Sequence, residues 1–249
     1  MRDLKDYQEK YKAEPGEAIQ VKFRRKHILS IMNRYQHKNV LEVGCGLEPL
    51  FLHMSDYDTM TIVEPGEQFI NNAMQRAAES RVEICCIQGL FEESVEKIIN
   101  LGHDFDYIVV SSLLHELENP DLLMESLKKI SGNDTIIHIN VSNSNSLHRL
   151  IAKGMGLIKD EHELSEQQQK MQRHWVYDIN SLCDYVSKMG FDVVEKGSFF
   201  PKFLTGAQMD RMLAEGIVDD RFFDGLDSLT ECLPEYGSEI YVQLKRNMK

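Results

Sequence analysis

Short apolar runs alternate with longer amphipathic stretches along the chain, a pattern typical of a doubly wound α/β sheet. The amphipathic stretches between most runs are long enough for right-handed crossover helices. The sequence therefore predicts one α/β domain over residues 1–249. The apolar runs predict seven strands, near 39–43, 59–64, 82–87, 105–111, 134–141, 191–197 and 239–246.

The first predicted strand ends in a turn that contains two glycines. The apolar run 39–43 is followed by Gly44-Cys45-Gly46, and an amphipathic stretch comes after the turn. A side chain at either glycine would hold a ligand away from the backbone. The turn therefore predicts a binding site where the strand meets the next helix.

The second predicted strand ends in an acidic residue. Glu64 closes the run, Pro65 and Gly66 break it, and Glu64 lies 20 residues after Gly44. In a doubly wound sheet the carboxyl ends of adjacent strands lie side by side, so Glu64 is placed to accept both hydroxyls of a ribose above the glycine turn. The two features together predict a nucleoside pocket.

The glycine pattern distinguishes between kinds of nucleoside ligand. A dinucleotide fingerprint has a third glycine three residues after the second, where this chain has Pro49. Glu42, two residues before Gly44, adds a carboxylate suited to a cationic amino group. The pattern therefore disfavours a pyrophosphate and favours a nucleoside that carries an amine.

At these residues the chain resembles the class I S-adenosylmethionine-dependent methyltransferases, which have a Rossmann-like fold. Residues 41–46 resemble motif I of that family, Glu64 the motif II acid, 82–89 motif III and 105–115 motif IV, so the resemblance covers roughly 35–145. It implies the strand order 3-2-1-4-5-7-6 with an antiparallel last strand. It also implies S-adenosylmethionine as the cofactor and S-adenosylhomocysteine as the product.

The resemblance further implies which residues bind the cofactor. They are Glu42, Gly44, Cys45, Gly46, Glu64, Pro65, Gly89, Leu90, Phe91, Glu92, Ser111 and Ser112. After Gly89 the family often has an aspartate that receives the adenine amino group, whereas this chain has Leu90-Phe91-Glu92. Either Glu92 supplies the polar contact or Phe91 stacks on the base. We expect Cys45 to pack within the turn, since no activating base is evident beside it.

Methyl transfer from a sulfonium is an in-line displacement, and a hydroxyl acceptor must also lose its proton. Histidine is the side chain best suited to take that proton near neutral pH. His115 is the first candidate because it follows the fourth strand where motif IV faces the methyl group, and a local role at a helix start is the alternative. His174, Tyr177 and His148 are further catalytic candidates, each with a surface or capping role as its alternative.

Three segments flank the predicted cofactor-binding core of residues 39–141. Residues 1–38 predict two helices, which form either a lid across the cofactor or a cover for the sheet. Residues 142–176 and 200–236 are insertions that we expect to cap the substrate pocket, because they join strands at the carboxyl edge of the sheet. In the lid arrangement, which the resemblance implies, Tyr7, Tyr11 and Phe23 are the aromatic side chains expected to pack across the cofactor.

The composition narrows the class of partner. The formal net charge of -12 disfavours a nucleic-acid substrate. A basic stretch from Lys22 to Lys38 is expected to be a solvated helix face, with a site for a phosphate or carboxylate as the alternative. No run resembles a signal peptide or a membrane span, so we expect a cytoplasmic protein without a membrane partner. The cysteine and histidine spacings predict no disulfide and no metal site. The sequence leaves open whether the protein forms a homodimer.

The predicted function is S-adenosylmethionine-dependent methylation of a small polar molecule. The segments at 143–177 and 200–203 resemble, more weakly, methyltransferases of surface-sugar and natural-product pathways, which implies O-methylation of a sugar, a sugar nucleotide or a similar intermediate. Asn140 and Asn143 are expected to contact such an acceptor, and Arg149 and Lys202 to meet its phosphate. The alternatives are a non-catalytic partner subunit with the same fold and an NAD-dependent oxidoreductase.

Overall fold

The computed structural model describes residues 16–247, apart from the side chain of Gln167. Its centre is a seven-stranded sheet with the order β3-β2-β1-β4-β5-β7-β6, which confirms the predicted fold class and strand order. The strands are β1 (Asn39–Val43), β2 (Thr59–Glu64), β3 (Cys85–Gln88), β4 (Tyr107–Ser111), β5 (Ile136–Ser142), β6 (Phe191–Phe199) and β7 (Glu239–Arg246).

The pairing of the strands brings several functional positions to one edge of the sheet. β1 pairs in parallel with both neighbours, so that Val43 lies opposite Val63 of β2 and Val110 of β4. β7 runs antiparallel between β5 and β6, as predicted, and its first residue Glu239 lies opposite Ser142 at the end of β5. The carboxyl ends of β1, β2, β4 and β5 therefore lie at the same edge of the sheet as the start of β7.

Helices cover both faces of the sheet. Several of them begin at a side-chain cap; Asp178, for example, accepts from the backbone N–H of Ser181, and the Ser181 hydroxyl accepts from that of Asp178. The helices are α1 (Glu17–Met32), α2 (Glu67–Ser80), α3 (Phe91–Ile99), α4 (Pro120–Ile130), α5 (Leu147–Gly154), α6 (Glu166–Lys170), α7 (Ile179–Lys188), α8 (Gly206–Ala214) and α9 (Asp220–Ser228).

Alternation of side chains along the strands divides the apolar core between the two faces. Leu41 and Val43 belong to the cluster that packs on α3, α4 and α7, whereas Val40 belongs to the cluster that packs on α1 and α2. Glu42 therefore points to the same face as Val40. A third cluster joins α1 to the end of β6 and to α8 and α9.

Helix α1 is buried on more than one side. Ile28 and Met32 pack against the sheet, while Ile19 and Phe23 pack in the third cluster, where the Phe23 ring stacks on that of Phe200 at a centroid distance of 4.4 Å. The expectation that Phe23 packs across the cofactor is wrong, because its ring packs against the 200–236 segment. The predictions for Tyr7, Tyr11 and a helix before residue 14 lie outside the described residues.

One strand boundary differs clearly from the sequence prediction. β3 begins at Cys85 and not at Val82. The reason is that the backbone N–H of Val82 donates to the carbonyl of Ala77, which closes the end of α2, while Arg81 takes a left-handed conformation with φ 56°. Within residues 16–247, no helix is long and apolar enough to cross a membrane.

Candidate functional site

The turn after β1 leaves open space above its backbone. Gly44 has φ 79° and Gly46 has φ 55°, a left-handed region that glycine adopts without steric cost. A Cβ atom added to Gly44 would find only Leu113 Cδ2 within 4 Å, at 4.0 Å. The turn is held to the next strand by a hydrogen bond of 2.9 Å from the Gly44 N–H to the Val63 carbonyl. It forms a fixed cradle in which a ligand can approach the main chain.

The Glu64 carboxylate lies beside this cradle at the end of β2. Its Oε2 accepts from the backbone N–H of Cys45 at 3.1 Å, and its Oε1 accepts from that of Gly66 at 2.7 Å. The side chain is 5% exposed. These bonds fix the direction of the carboxylate, and an acid at the end of the second strand is the residue type that hydrogen-bonds a ribose hydroxyl in such folds. The residues present therefore fit the nucleoside part of the cofactor.

Glu42 supplies a second buried carboxyl group, on β1. It accepts from the backbone N–H of Leu50, at 3.1 Å for Oε2 and 3.3 Å for Oε1. Its pKa is raised to about 8, mainly by burial; the hydrogen bond from Leu50 opposes this rise, and the charge of Glu64 adds to it. At neutral pH the group is mostly protonated in the ligand-free protein. An adjacent ammonium group would favour its ionised form.

These groups open into a cavity of about 470 Å³. Its walls come from the ends of β1, β2 and β4, the residues that lead into α3, the segment 112–119 and one side of α1. This volume lies in the range of about 300 to 1,000 Å³ that small-molecule sites usually have. The cavity is a pocket at the carboxyl edge of an α/β sheet, where such folds bind ligands.

The cavity brings together nearly all residues predicted to bind the cofactor. Eleven of the twelve line it, including Pro65, Leu90, Ser111 and Ser112. Gly89 is the exception. Its N–H donates to the Glu64 carbonyl at 3.2 Å, so it contacts the backbone of a site residue without lining the cavity. Both alternatives for adenine, Glu92 and Phe91, lie in the wall.

Cys45 lies in the wall with its thiol largely buried. Burial raises the pKa of this thiol well above its ordinary value, and the carboxyls of Glu42 and Glu64 raise it further. The thiol is therefore protonated and unreactive at neutral pH. This agrees with the expectation that Cys45 packs within the turn.

The four predicted catalytic residues do not line the cavity. His115 is buried in a short turn whose neighbours Leu113 and Glu116 do line it. His174 is exposed, and its backbone N–H donates to the His115 carbonyl at 2.9 Å. Tyr177 packs in the main core beside the Tyr185 ring, at a centroid distance of 6.0 Å.

His148 lies farther along the insertion, at the start of α5. Burial, together with the positive charges of Lys202 and Arg149, holds the pKa of His148 well below its usual value. Its imidazole is therefore neutral at pH 7. The catalytic roles of His115, His174, Tyr177 and His148 stay predictions.

Several cavity residues were not predicted from the sequence. The clearest is Arg24 of α1, whose guanidinium pairs with Glu239 at 2.7 Å and with Glu17 at 3.0 Å. Burial opposes ionisation of Glu239, but Arg24 and hydrogen bonds from Gln20 and Asn140 outweigh it and lower its pKa. The expectation of a solvated helix face is wrong for Arg24, because its side chain is buried where α1 contacts the start of β7.

Two asparagines that we expected to contact the acceptor serve the fold instead. Asn140 donates to Glu239 Oε2 at 2.5 Å, and Asn143 donates to the backbone carbonyls of Glu235 and Gly237 at 3.0 and 2.8 Å. Neither lines the cavity. They join the end of β5 to the start of β7, which fixes the edge on which the cavity rests.

Arg149 also differs from its predicted role as a phosphate ligand. Its Nε and Nη2 donate to the Glu161 carbonyl, its Nη2 also to the Glu163 carbonyl, and its Nη1 to Gln168 Oε1. The guanidinium therefore holds the loop before α6 against α5. The sequence could not predict these contacts, because the partners of Arg149 are mostly backbone carbonyls and every residue has one.

The predicted caps contribute little to the cavity in the described part of the chain. From residues 142–176 only Arg173 lines it, and from 200–236 no residue does. The second insertion instead covers α1 through Met209, Phe223 and Leu226. A role for either insertion in acceptor binding stays a prediction.

The strand order, the glycine turn and the acid at the end of β2 define a class I S-adenosylmethionine-dependent methyltransferase. The chain belongs to the family described as "Methyltransferase domain", whose model matches residues 12–196. This family supersedes both alternatives, the oxidoreductase and the non-catalytic subunit. No curated protein matches the sequence of the chain.

Solved structures confirm the fold at low sequence identity. An S-adenosylmethionine-dependent methyltransferase from Clostridium acetobutylicum ATCC 824 has a TM-score of 0.56 at 8% identity, with 90% of each chain covered. The N-methyltransferase NodS from Bradyrhizobium japonicum WM9, in complex with S-adenosyl-L-homocysteine, has a TM-score of 0.53 at 13% identity, covering 91% of this chain and 86% of that one. The [4+2]-cyclase SpnF has a TM-score of 0.60 at 12% identity, with coverages of 90% and 81%. The fold alone therefore does not fix the acceptor.

Proposed function

We propose that the protein transfers the methyl group of S-adenosylmethionine to a hydroxyl oxygen of a small polar acceptor, such as a sugar or a natural-product intermediate. The observation that carries the proposal is the extent of the cavity. Beyond the glycine turn and Glu64, the lining of this one cavity includes residues of α1, the segment 112–119 and Arg173, and we call this part of it the second compartment. Such a compartment beside the cofactor gives an acceptor room to meet the methyl group.

The walls of this second compartment carry paired charges. Arg25 lies 3.3 Å from Glu48, and Arg173 lies 4.0 Å from Glu116. Together with the pair formed by Arg24 and Glu17, they place both hydrogen-bond donors and acceptors in the wall. A molecule rich in hydroxyl groups, which both donate and accept, suits such a wall. This is the reason to favour a polar acceptor over an apolar one.

The chemistry needs positioning and removal of one proton. In-line transfer requires the acceptor oxygen about 3 to 3.5 Å from the methyl carbon, which the fixed walls of the pocket would enforce. The oxygen must lose its proton at or near transfer. His115 is the predicted base, and Glu116 in the same turn adds a carboxylate that lines the cavity. We propose this turn as the source of the base.

A second candidate function is methylation of an amine. The cavity wall includes the carboxylates of Glu17, Glu48, Glu116 and Glu118, of which the first three pair with Arg24, Arg25 and Arg173. Carboxylates attract a protonated amine electrostatically, and the structural neighbour NodS is described as an N-methyltransferase. This candidate concerns the methylated atom and leaves the cofactor unchanged.

The test is transfer of an isotopically labelled methyl group. The purified protein and labelled S-adenosylmethionine are incubated with a matched panel of sugars, sugar nucleotides, hydroxy acids and their amino counterparts, and each product is examined by mass spectrometry and NMR. We expect a methoxy product from at least one hydroxyl acceptor, and its absence with Glu64→Gln. Products methylated only at nitrogen would replace the first candidate by the second. Transfer to neither class, with S-adenosylhomocysteine bound normally, would refute both.

A further inference from the structure

We propose that Ser112 positions the acceptor for methyl transfer, with its hydroxyl hydrogen-bonded to the oxygen or nitrogen atom that receives the methyl group. The inference rests on the proposed function, since it concerns the acceptor of the same reaction. It applies to a hydroxyl acceptor and to an amine acceptor alike. It also reassigns Ser112, which the family resemblance places among the cofactor residues, to the acceptor half of the cavity.

The first observation is the backbone conformation of Ser112. Its φ is 54°, in the left-handed region that residues other than glycine rarely adopt. This conformation is costly for a residue with a Cβ atom, and such residues cluster at active sites and ligand-binding sites, where the surrounding structure enforces them. Ser112 lines the cavity. The cavity wall therefore contains a strained serine at the point where β4 ends.

The turn after β1 makes the same kind of bend without this strain. Gly44 follows β1 with φ 79°, and its N–H donates to the Val63 carbonyl of β2. Ser112 follows β4 in the same way, and its N–H donates to the Asn140 carbonyl of β5 at 2.9 Å. Glycine at position 112 would serve this turn with less strain. The side chain of Ser112 therefore serves something other than the fold.

The second observation is the hydroxyl of Ser112. The residue is half-buried in the cavity wall, and among residues 16–247 its hydroxyl makes no hydrogen bond. By contrast, the hydroxyls of Ser131 and Ser198 donate to backbone carbonyls at 2.7 and 2.6 Å. A hydroxyl can both donate and accept. The Ser112 hydroxyl can therefore accept from an O–H or N–H group of the acceptor and turn a lone pair of that atom towards the methyl carbon.

The place of Ser112 in the sheet favours the acceptor over the cofactor. β1 and β2, whose ends hold the expected cofactor groups, lie on one side of β4, whereas β5 lies on the other side. Ser112 is bonded to β5, and Arg173 of the second compartment also donates to β5, at 3.4 Å from the Ser142 hydroxyl. The next side chain, Leu113, reaches back to the glycine turn, because its Cδ2 lies 4.0 Å from the position of a Cβ atom added to Gly44. Ser112 thus lies where the cofactor half of the cavity meets the second compartment.

The first test needs no acceptor. Isothermal titration calorimetry and thermal unfolding compare the wild type with Ser112→Ala and Ser112→Gly in the full chain. We expect both variants to bind S-adenosylhomocysteine within twofold of the wild type. Ser112→Gly should also raise the unfolding temperature by about 2 to 4 °C, because glycine adopts the left-handed backbone without steric cost. A loss of affinity of fivefold or more in both variants would return Ser112 to the cofactor site and overturn the proposal. An unfolding temperature of Ser112→Gly at or below that of the wild type would overturn it as well.

The second test measures transfer of the labelled methyl group to each acceptor of the panel that the wild type methylates. At saturating S-adenosylmethionine, Ser112→Ala and Ser112→Gly should each lower kcat/KM for the acceptor at least tenfold, because the acceptor loses a positioning hydrogen bond. The matched control is Arg81→Gly. Arg81 has φ 56° and is exposed at the end of α2 outside the cavity, so this variant should gain similar stability with unchanged transfer.

The outcomes separate the assignment of Ser112 from the proposed function. Transfer by Ser112→Ala within twofold of the wild type would overturn the assignment and leave the methyl transfer intact. If the wild type methylates no acceptor of the panel while both Ser112 variants bind S-adenosylhomocysteine normally and Ser112→Gly is stabilised, the proposed function fails, and the reassignment of Ser112 away from the cofactor stands.

Discussion

Replacing Glu64 by glutamine gives the sharpest test of the cofactor pocket. The substitution keeps the size of the side chain and removes its charge and one of its two acceptor oxygens. A hydrogen bond to a charged group contributes about 1.5 to 3 kcal/mol. Because Glu64 is 5% exposed, water screens this interaction little. We therefore expect a loss of about 2 to 3 kcal/mol, or roughly a 30- to 150-fold weaker affinity for S-adenosylhomocysteine.

Isothermal titration calorimetry measures this loss of affinity, and two comparisons test whether it comes from the contact between Glu64 and the ribose. Glu67→Gln, an exposed carboxylate three residues later at the start of α2, should change the affinity less than twofold. A 2′,3′-dideoxy analogue of S-adenosylhomocysteine should bind the wild type weakly and should bind Glu64→Gln about as weakly. If Glu64→Gln binds within threefold of wild type, or if the analogue is as sensitive to the mutation as the full ligand, Glu64 does not hold the ribose.

Three further predictions concern other groups of the fold and site. Because the Glu42 pKa is raised to about 8 and a ligand ammonium favours the ionised form, affinity for S-adenosylhomocysteine should rise by up to about tenfold per pH unit from pH 6 to 7.5, and Glu42→Gln should abolish this slope in calorimetry. Gly44→Ala should weaken the same affinity at least tenfold, whereas Gly156→Ala, with a similar φ of 74° and open surroundings, should lower only the unfolding temperature. Burial lowers the His138 pKa from 6.5 to about 4, so stability present above pH 6.5 should fall by about 1.4 kcal/mol per pH unit on acidification towards pH 4; urea unfolding should show a shallower loss in His138→Gln.

The cofactor half of the site could be predicted from the sequence because its parts are local. The cradle, Glu42 and Glu64 belong to two neighbouring strands, and parallel pairing alone places Val43 beside Val63. The turn needs glycine for its left-handed backbone, and the chain shows that need directly at Gly44. This need for glycine can be recognised in the sequence without knowledge of the rest of the fold.

The acceptor half could not be predicted in the same way, since its contacts join distant parts of the chain. Arg24 is one of several basic residues in α1, and its pairing with Glu239, 215 positions later, distinguishes it from the others. Arg149 was misread for a related reason, because its partners are backbone carbonyls of a loop. Residue type indicates a charge but not which partner neutralises it.

The pairing of Arg24 with Glu239 also bears on how the pocket is divided. Burying two charges is costly unless their geometry is good, and replacing such a pair by apolar residues often leaves stability unchanged or higher. This pair is bidentate and is supported by Gln20 and Asn140. It therefore contributes to position more than to stability, since it holds α1 at a fixed distance from the start of β7. Because Arg24 itself lines the cavity, this contact fixes the position of one cavity wall. The predicted cofactor half of the site thus depends on a local turn, whereas one wall of the proposed acceptor half is fixed by a long-range contact.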